Sequence, residues 1–330
     1  MQKKFFNKKL VVRGLEISPP IVLAPMVGLS HSALRSLVQA EGGVGLFFTE
    51  MLAAKRLPHD NEFCSPLLIR DESESPLIYQ IITGNDADIE PAIKKLHRLG
   101  ADGVDLNLGC PAPVQRRQGA GAMLGANRQQ LQKILYKLRK STELPLSVKI
   151  RLGHSLDIGQ LRSFCLFLET EGVDMITIHA RLHGEKFCRK PRWAVIGEIK
   201  DAVSVPILAN GGIFSPADAR QCLELSHADG VMIGRGAVEQ PWLCAEIARE
   251  IYGAGTGCKK IDKSATYLQF IDLLEQRFAP ERRLGRLKQF TGYFAVSFQF
   301  GHHLAAAIQN STSIEEARRR ADDFFAGSRC

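Results

Sequence analysis

The chain has 330 residues, 45% of them hydrophobic and 24% charged, which excludes wholesale disorder and allows one large domain or two ordinary ones around a sizeable core. Its eight cysteines (64, 110, 165, 188, 222, 244, 258 and 330) form no Cys-x-x-Cys and no regular spacing, so neither a zinc module nor a disulfide framework is indicated and no metal is expected. The net charge is +8, and residues 255–330 alone hold twelve Lys and Arg against eight Asp and Glu. Such a balance fits a polyanionic partner, nucleic acid first, or simply a solvated basic surface.

The leading MQKKFFNKKL is basic without the apolar run of a signal peptide, and no apolar stretch reaches membrane-spanning length, so the expectation is a cytoplasmic protein. Eight short apolar runs then follow: Ile21–Met26, Gly45–Met51, Leu77–Thr83, Gly103–Gly109, Leu146–Leu152, Met175–His179, Pro206–Asn210 and Gly230–Ile233. Helical patterns lie between them at Ala87–Leu99, Arg128–Lys140, Ile158–Glu171, Ala194–Ala202 and Pro216–Ser226. The runs are continuously apolar, as parallel strands covered on both faces are. Eight βα units at this spacing predict a (β/α)8 TIM barrel over residues 1–252, with a doubly wound open sheet as the competing arrangement.

The Gly-rich, basic stretch over residues 253–260 reads as a linker. Beyond it the apolar spacing is helical only, and YLQFIDLLEQRF, RLGRLKQFTGYFAVSFQF and SIEEARRRADDFF predict three helices of a small all-α domain over 261–330. Ser313 followed by Glu316 matches a capping box at the start of the last helix.

In such a barrel the chemistry collects at the C-terminal ends of the strands. Those ends carry Pro25, Met26 and Val27; Gln80; Asn107 and Cys110; Lys149 and Arg151; His179 and Arg181; Asn210, Gly211 and Gly212; and Gly234 with Arg235. Glycines after the last two strands bare backbone N–H groups near helix starts, the usual phosphate site of this fold, although they also suit plain tight turns. A phosphate-bearing aromatic cofactor such as FMN would use Lys149 and His179 from neighbouring strands, and Gln80 at its ring edge. The bland alternatives are a lysine paired with Asp105 or Glu50, and a satisfied core histidine. Cys110, on a loop between Gly109 and Pro111, is placed to act as a nucleophile or a general acid.

The segments LAPMVGLSHSALR, TEM, YQIITG, GVDLNLGCPAPVQRRQGAGAML, SVKIRLG, TIHAR, ILANGGI and GVMIGRGA resemble, in order, those of the tRNA-dihydrouridine synthase family over residues 18–250. The helical tail resembles the family's RNA-binding domain more weakly, through Arg286-Leu287-Lys288-Gln289-Phe290 and Tyr293. The resemblance implies an FMN-bound barrel that uses NADPH to reduce specific tRNA uridines to dihydrouridine. Hydride would pass to C6 and a proton from Cys110 to C5. It implies that Pro25, Met26 and Val27 pack on the flavin ring, and that Gln80, Lys149 and His179 meet its polar edge. Asn210, Gly211, Gly212, Gly234 and Arg235 would hold the ribityl phosphate. Asn107, Arg151, Arg181, Arg286 and Lys288 would face the substrate.

Arg282 and Arg283 would add phosphate contacts to those of Arg286 and Lys288, whereas Phe290 reads as helix-bundle core. The chain departs from the family at Ser30-His31, where many members carry Thr-Asp, at His179-Ala180-Arg181-Leu182, and in the basic loop HGEKFCRKPRW. These departures leave open another structured RNA as substrate. Two rival readings are an FMN oxidoreductase acting on free pyrimidine or dihydroorotate, and an RNA-binding protein without catalysis. A monomer is expected.

Overall fold

The computed structural model describes residues 6, 9–62, 65–254 and 260–327. The chain opens with a hairpin, β1 (Leu10–Val12) and β2 (Leu15–Ile17), turned at Arg13 and Gly14, both at positive φ. Among the described residues nine strands follow: β3 (Ile21–Leu23), β4 (Phe47–Phe48), β5 (Leu52–Ala53), β6 (Leu77–Ile82), β7 (Gly103–Asn107), β8 (Leu146–Arg151), β9 (Met175–His179), β10 (Ile207–Asn210) and β11 (Gly230–Ile233). All pairs among these nine are parallel. Eight run in the order β3-β11-β10-β9-β8-β7-β6-β4, with β5 beside β6. The bridge between Val22 and Leu46, with Leu23 N donating to Leu46 O at 3.0 Å, closes β3 onto the β4 edge. The architecture is therefore a TIM-type barrel, not an open sheet.

The barrel helices are α1 (Ser32–Glu41), α2 (Ile89–Arg98), α3 (Pro113–Arg117), α4 (Ala122–Ala126), α5 (Arg128–Ser141), α6 (Ile158–Thr170), α7 (Trp193–Lys200), α8 (Pro216–Ser226), α9 (Arg235–Glu239) and α10 (Leu243–Tyr252). Their starts follow local chemistry. Asn127, Asp157 and Ser215 accept the N–H of Gln130, Gln160 and Asp218, so each satisfies a donor the helix leaves free. The unit after β4 carries a 3-10 turn at Leu57–His59 in place of an α-helix. A fully buried pair ties this segment down: Arg35 Nε donates to Glu74 Oε2 at 2.8 Å, and its other nitrogens donate to Ser30 O and Ile69 O.

Side chains that point into the barrel change character along each strand. Val22, Phe48, Ile78, Met175, Leu208 and Met232 form an inner apolar cluster, closed from below by Leu10, Val12 and Ile17 of the hairpin. Two residues further along, the same faces present Gln80 on β6, Thr177 on β9 and Asn210 on β10. The hairpin plugs the bottom of the barrel, and the polar ends gather at the top.

Among the described residues the tail contains four helices, not three: α11 (Lys263–Arg277), α12 (Pro280–Phe294), α13 (Gly301–Gln309) and α14 (Ile314–Gly327). The long predicted second helix ends at a 3-10 turn over Ala295–Ser297, and Phe300, at φ 57°, redirects the chain into α13. Helix α11 packs on α1 and α12 on α9, and one continuous apolar cluster runs from the barrel's outer layer into this bundle. Phe290 is core, stacked on Phe270 at 3.9 Å. At the start of α14 Ser313 accepts the N–H of Glu316, whereas Glu316 Oε2 accepts from Thr312, one residue earlier than a capping box places it. Gly253, in the left-handed region, ends α10. Most of the expected linker, residues 255–259, lies outside the described residues.

Candidate active site

A cavity of about 290 Å³ opens at the top of the barrel. Its lining brings together Pro25, Met26, Val27, Lys149, Arg151, His179, Arg181, Asn210, Gly211, Gly212, Gly234 and Arg235. Lys149, Arg151, Arg181 and Arg235 supply positive charge there, and no carboxylate among the described residues lines it. Among the predicted residues Gln80, Asn107, Cys110, Arg286 and Lys288 do not line it.

The cationic wall is held by specific partners. Lys149 Nζ donates to Asn210 Oδ1 at 3.0 Å, while Asn210 Nδ2 donates to Met232 O at 2.7 Å. Burial, and then Arg151, lower the Lys149 ammonium to about 8, against the opposing pull of Asp105 and Cys110. It therefore stays mostly charged at neutral pH. Neither Asp105 nor Glu50 forms an ion pair with it among the described residues: Glu50 accepts the N–H of Gly28 at 2.7 Å instead.

His179 is held neutral. Burial first, then the charges of Lys149, Arg151, Arg181 and Arg235, push its ring down to about 2. Its Nε2 lies 3.1 Å from Arg181 Nη1, and a guanidinium only donates, so Nε2 accepts and Nδ1 carries the proton.

Arg181 is committed elsewhere as well. Its Nε donates to Arg189 O at 2.7 Å and Nη2 to Phe187 O at 3.1 Å, so this side chain props the loop after β9 at the cavity rim. Phe187, carried on that loop, stacks on His179 at 6.0 Å. Arg235 sits 4.6 Å and Arg151 5.7 Å from its ring centre.

Cys110 adjoins this wall. Its N–H donates to Asn107 Oδ1 at 2.9 Å and its carbonyl accepts from Ala122 N at 3.1 Å. Gly121, at φ +59°, passes so close that a Cβ there would lie 2.6 Å from the Cys110 carbonyl oxygen, which is why the small-residue GAGAML segment follows the cysteine loop. The thiol is half-buried, and Lys149 and Arg151 both act on it electrostatically. Gln80 and Asn107 lie beside it in a chain of amides, with Asn107 Nδ2 donating to Gln80 Oε1 at 2.9 Å.

The helical domain reaches the same mouth. Gln289 and Tyr293 of α12 line the cavity, and Arg286 stands over Gly28. Lys288 is half-buried and Arg282 exposed on the same helix. Arg283 has a different task from the one expected: its guanidinium donates to Phe278 O and Glu275 O and caps the end of α11. Sequence reasoning did not find Phe187, Gln289 or Tyr293 as cavity residues. Gln289 and Tyr293 fall on one face of a helix one turn apart, a signal that carries no hint of which barrel loop they meet.

The family model for dihydrouridine synthase (Dus) matches residues 22–328. A probable tRNA-dihydrouridine synthase of Rhodobacter capsulatus is 33% identical over 246 residues, 73% of this chain and 74% of that protein. One from Synechocystis sp. is 27% identical across 96% of this chain and 89% of its own length. One from Mycobacterium tuberculosis is 28% identical across 93% and 82%. Two solved structures share the fold. Histamine dehydrogenase from Rhizobium sp. 4-9 matches with a TM-score of 0.59 at 12% identity, over 83% of this chain and about half, 51%, of its own. A variant of NCR from Zymomonas mobilis matches with a TM-score of 0.54 at 14% identity, over 85% and 98%. Matched almost from its first barrel strand to its last helix, the chain belongs to the dihydrouridine synthase family, a family of oxidoreductases.

Proposed function

We propose that the chain reduces specific uridines of tRNA to 5,6-dihydrouridine, with FMN in the barrel mouth and NADPH as its reductant. The observation that carries this reading is the cavity lining: four cations, no carboxylate among the described residues, and an apolar wall from Pro25 to Val27. That donor set fits a flat aromatic group bearing a phosphate. Arg235, beside Gly234 at the end of β11, and the Gly211-Gly212 turn after β10 would hold the phosphate and ribityl chain. Lys149 and His179 would meet the polar edge of the ring, with the Nδ1–H of His179 available as a donor.

When bound and reduced, the flavin supplies hydride to C6 of the uracil. The Cys110 thiol donates the proton to C5, and the charge left on sulfur faces Lys149 and Arg151. The same two cations stabilise charge on the ring oxygens. Bringing a base into the cavity requires flipping it out of the RNA, which costs a few kcal/mol of unstacking. Phosphate contacts from Arg286, Lys288 and Arg282 on α12 offset that cost.

The visible spectrum of the purified protein, titrated anaerobically with NADPH and then with unmodified tRNA, tests the reading. A flavin spectrum that bleaches with NADPH and recovers with tRNA is expected. Bleaching that tRNA cannot reverse would remove tRNA as substrate and turn attention to free pyrimidines. A protein that takes up no FMN would overturn the cofactor assignment.

A further inference from the structure

Four side chains from three adjacent strands form an unbroken polar chain that ends on the Cys110 backbone. Ser147 Oγ donates to Asp105 Oδ1 at 2.6 Å, and Gln80 Nε2 donates to Asp105 Oδ2 at 2.7 Å. Asn107 Nδ2 donates to Gln80 Oε1 at 2.9 Å. Asn107 Oδ1 then accepts the N–H of Gly109 at 3.1 Å and of Cys110 at 2.9 Å. Strand register makes the chain possible, because Gln80 pairs with Asp105 across β6 and β7 and Asp105 with Ser147 across β7 and β8. The four side chains are all buried.

The polarity of this chain is set at its two ends, by the Asp105 carboxylate and by the backbone N–H groups of Gly109 and Cys110. A side-chain amide can be turned end for end, so Gln80 and Asn107 have no preferred direction of their own. A carboxylate can only accept. Asp105 therefore draws the NH2 end of Gln80, which leaves its oxygen for Asn107. Asn107 must then present its NH2 to Gln80 and its oxygen to the Cys110 loop. Turned the other way, the Asn107 NH2 would face the N–H groups of Gly109 and Cys110, donor against donor.

We infer that Asp105 is a positioning residue for the reaction proposed above: its charged carboxylate orients Gln80 and Asn107 and so holds Cys110 where it can deliver a proton. The inference rests on that reading of the site. A neutral group at position 105 can meet either end of the Gln80 amide, so the backbone N–H groups of Gly109 and Cys110 alone are left to fix the direction of the chain.

Titration gives a signature. Burial raises Asp105 to about 6, against the opposing effects of Ser147, Gln80 and Lys149. Lys149 on β8 is the ionisable group acting on it; Ser147 on β8 and Gln80 on β6 are neutral. Acid should therefore cost turnover near pH 6 through this group. Because the folded value lies above the ordinary one near 4, the same protonation favours the fold as pH falls. Turnover and this residue's contribution to stability move in opposite directions, which a merely structural role would not produce.

The test is Asp105→Asn in the full chain, read in two ways. In the FMN-loaded protein, reoxidation by tRNA should slow about tenfold to a hundredfold with tRNA affinity unchanged, and the acid limb near pH 6 should disappear. In the flavin-free protein, alkylation of Cys110 by iodoacetamide, mapped by mass spectrometry, should accelerate severalfold while buried Cys165, Cys222 and Cys244 stay protected. Should that variant fail to fold, Ser147→Ala keeps the carboxylate but removes a hydrogen bond that lowers its pKa, so the acid limb should move upward. Wild-type alkylation and turnover in Asp105→Asn, or an acid limb unmoved in both variants, would overturn the inference. If the unmutated protein does not reduce tRNA, the proposed function falls, and the Cys110 alkylation rates alone decide the positioning role.

Discussion

The side-chain amide of Gln289, on α12 of the helical domain, donates to the carbonyl of Val27 at 3.3 Å, on the loop that leaves the first barrel strand. The helical domain is thus part of the cavity wall, not an appendage attached to its outside. A tail that only gathered RNA could be docked anywhere near the mouth. On the proposed function, one that lines the mouth would couple RNA contact to the shape of the site.

Gly28 is where this coupling can be cut. It lies at φ +80°, and a Cβ would fall 2.4 Å from Gln289 Oε1 and 2.8 Å from Arg286 Nη1. Both are the tips of flexible side chains and can move aside, but only by leaving the mouth. Gly28→Ala should cost about 1–2 kcal/mol in backbone strain and weaken FMN binding as the wall opens. Urea unfolding and a flavin fluorescence titration measure the two effects. Unchanged stability and unchanged flavin affinity together would show that the α12 packing is slack.

His31 sits in the same interface. Its ring meets Phe278 edge-on at 4.7 Å and stacks on Phe270 at 6.1 Å, and neither ring nitrogen has a hydrogen-bond partner among the described residues. Burial, then the charges of Arg286 and Arg35, hold its pKa well below the usual histidine range. The native ring stays neutral while the unfolded ring takes a proton below about 6.5, so its contribution is complete above that pH and is lost as pH falls. His31→Phe should therefore raise the urea midpoint, and by more at pH 5.5 than at pH 8. His179, at about 2, and His183, at about 4, act in the same direction and keep some acid sensitivity in the variant. An equal gain at both pH values would mean that protonation of His31 plays no part.

The barrel strands are legible because each is a short continuous apolar run, and the cavity-lining ends because polar residues interrupt those runs at one end only. The β1–β2 hairpin is not. Its strands are three residues long in a basic segment, although LVVRGLEI does carry the strand-turn-strand alternation that Arg13 and Gly14 realise. The split between α12 and α13 escapes notice because AVSFQF is as apolar as a helix face, and only the positive φ of Phe300 reveals the turn. In the site, the resemblance names residues strand by strand. It cannot give what depends on docking or register. Gln289 and Tyr293 enter the cavity from another domain, and Asp105 meets Gln80 and Ser147 only because three strands align.

Cys110→Ala tests the proposed proton donor directly. The thiol does not line the cavity, and its backbone is held by Asn107 and Ala122, so removing the sulfur leaves the cavity intact. The variant should bind FMN as before and be bleached by NADPH at the normal rate. Recovery with tRNA should slow by about a hundredfold to ten-thousandfold, the usual worth of a positioned acid. Full turnover in the variant would transfer the role to another group, with Lys149 first in line.

On the proposed function, Arg286 and Lys288 would separate RNA binding from chemistry. No ion pair engages either side chain among the described residues, so both are available to phosphates. Neither lines the cavity. Removing one cation that pairs with a phosphate should reduce the slope of log affinity against log salt by roughly one. The double variant Arg286→Ala, Lys288→Ala should therefore bind tRNA more weakly at low salt, with a slope shallower by about two, and retain its flavin spectrum. The effect should shrink as salt rises, because fewer counterions are released. A slope that does not change would place the RNA-binding cations elsewhere, and the exposed lysines and arginines of the loop after β9, Lys186, Arg189 and Lys190, would be the next to replace.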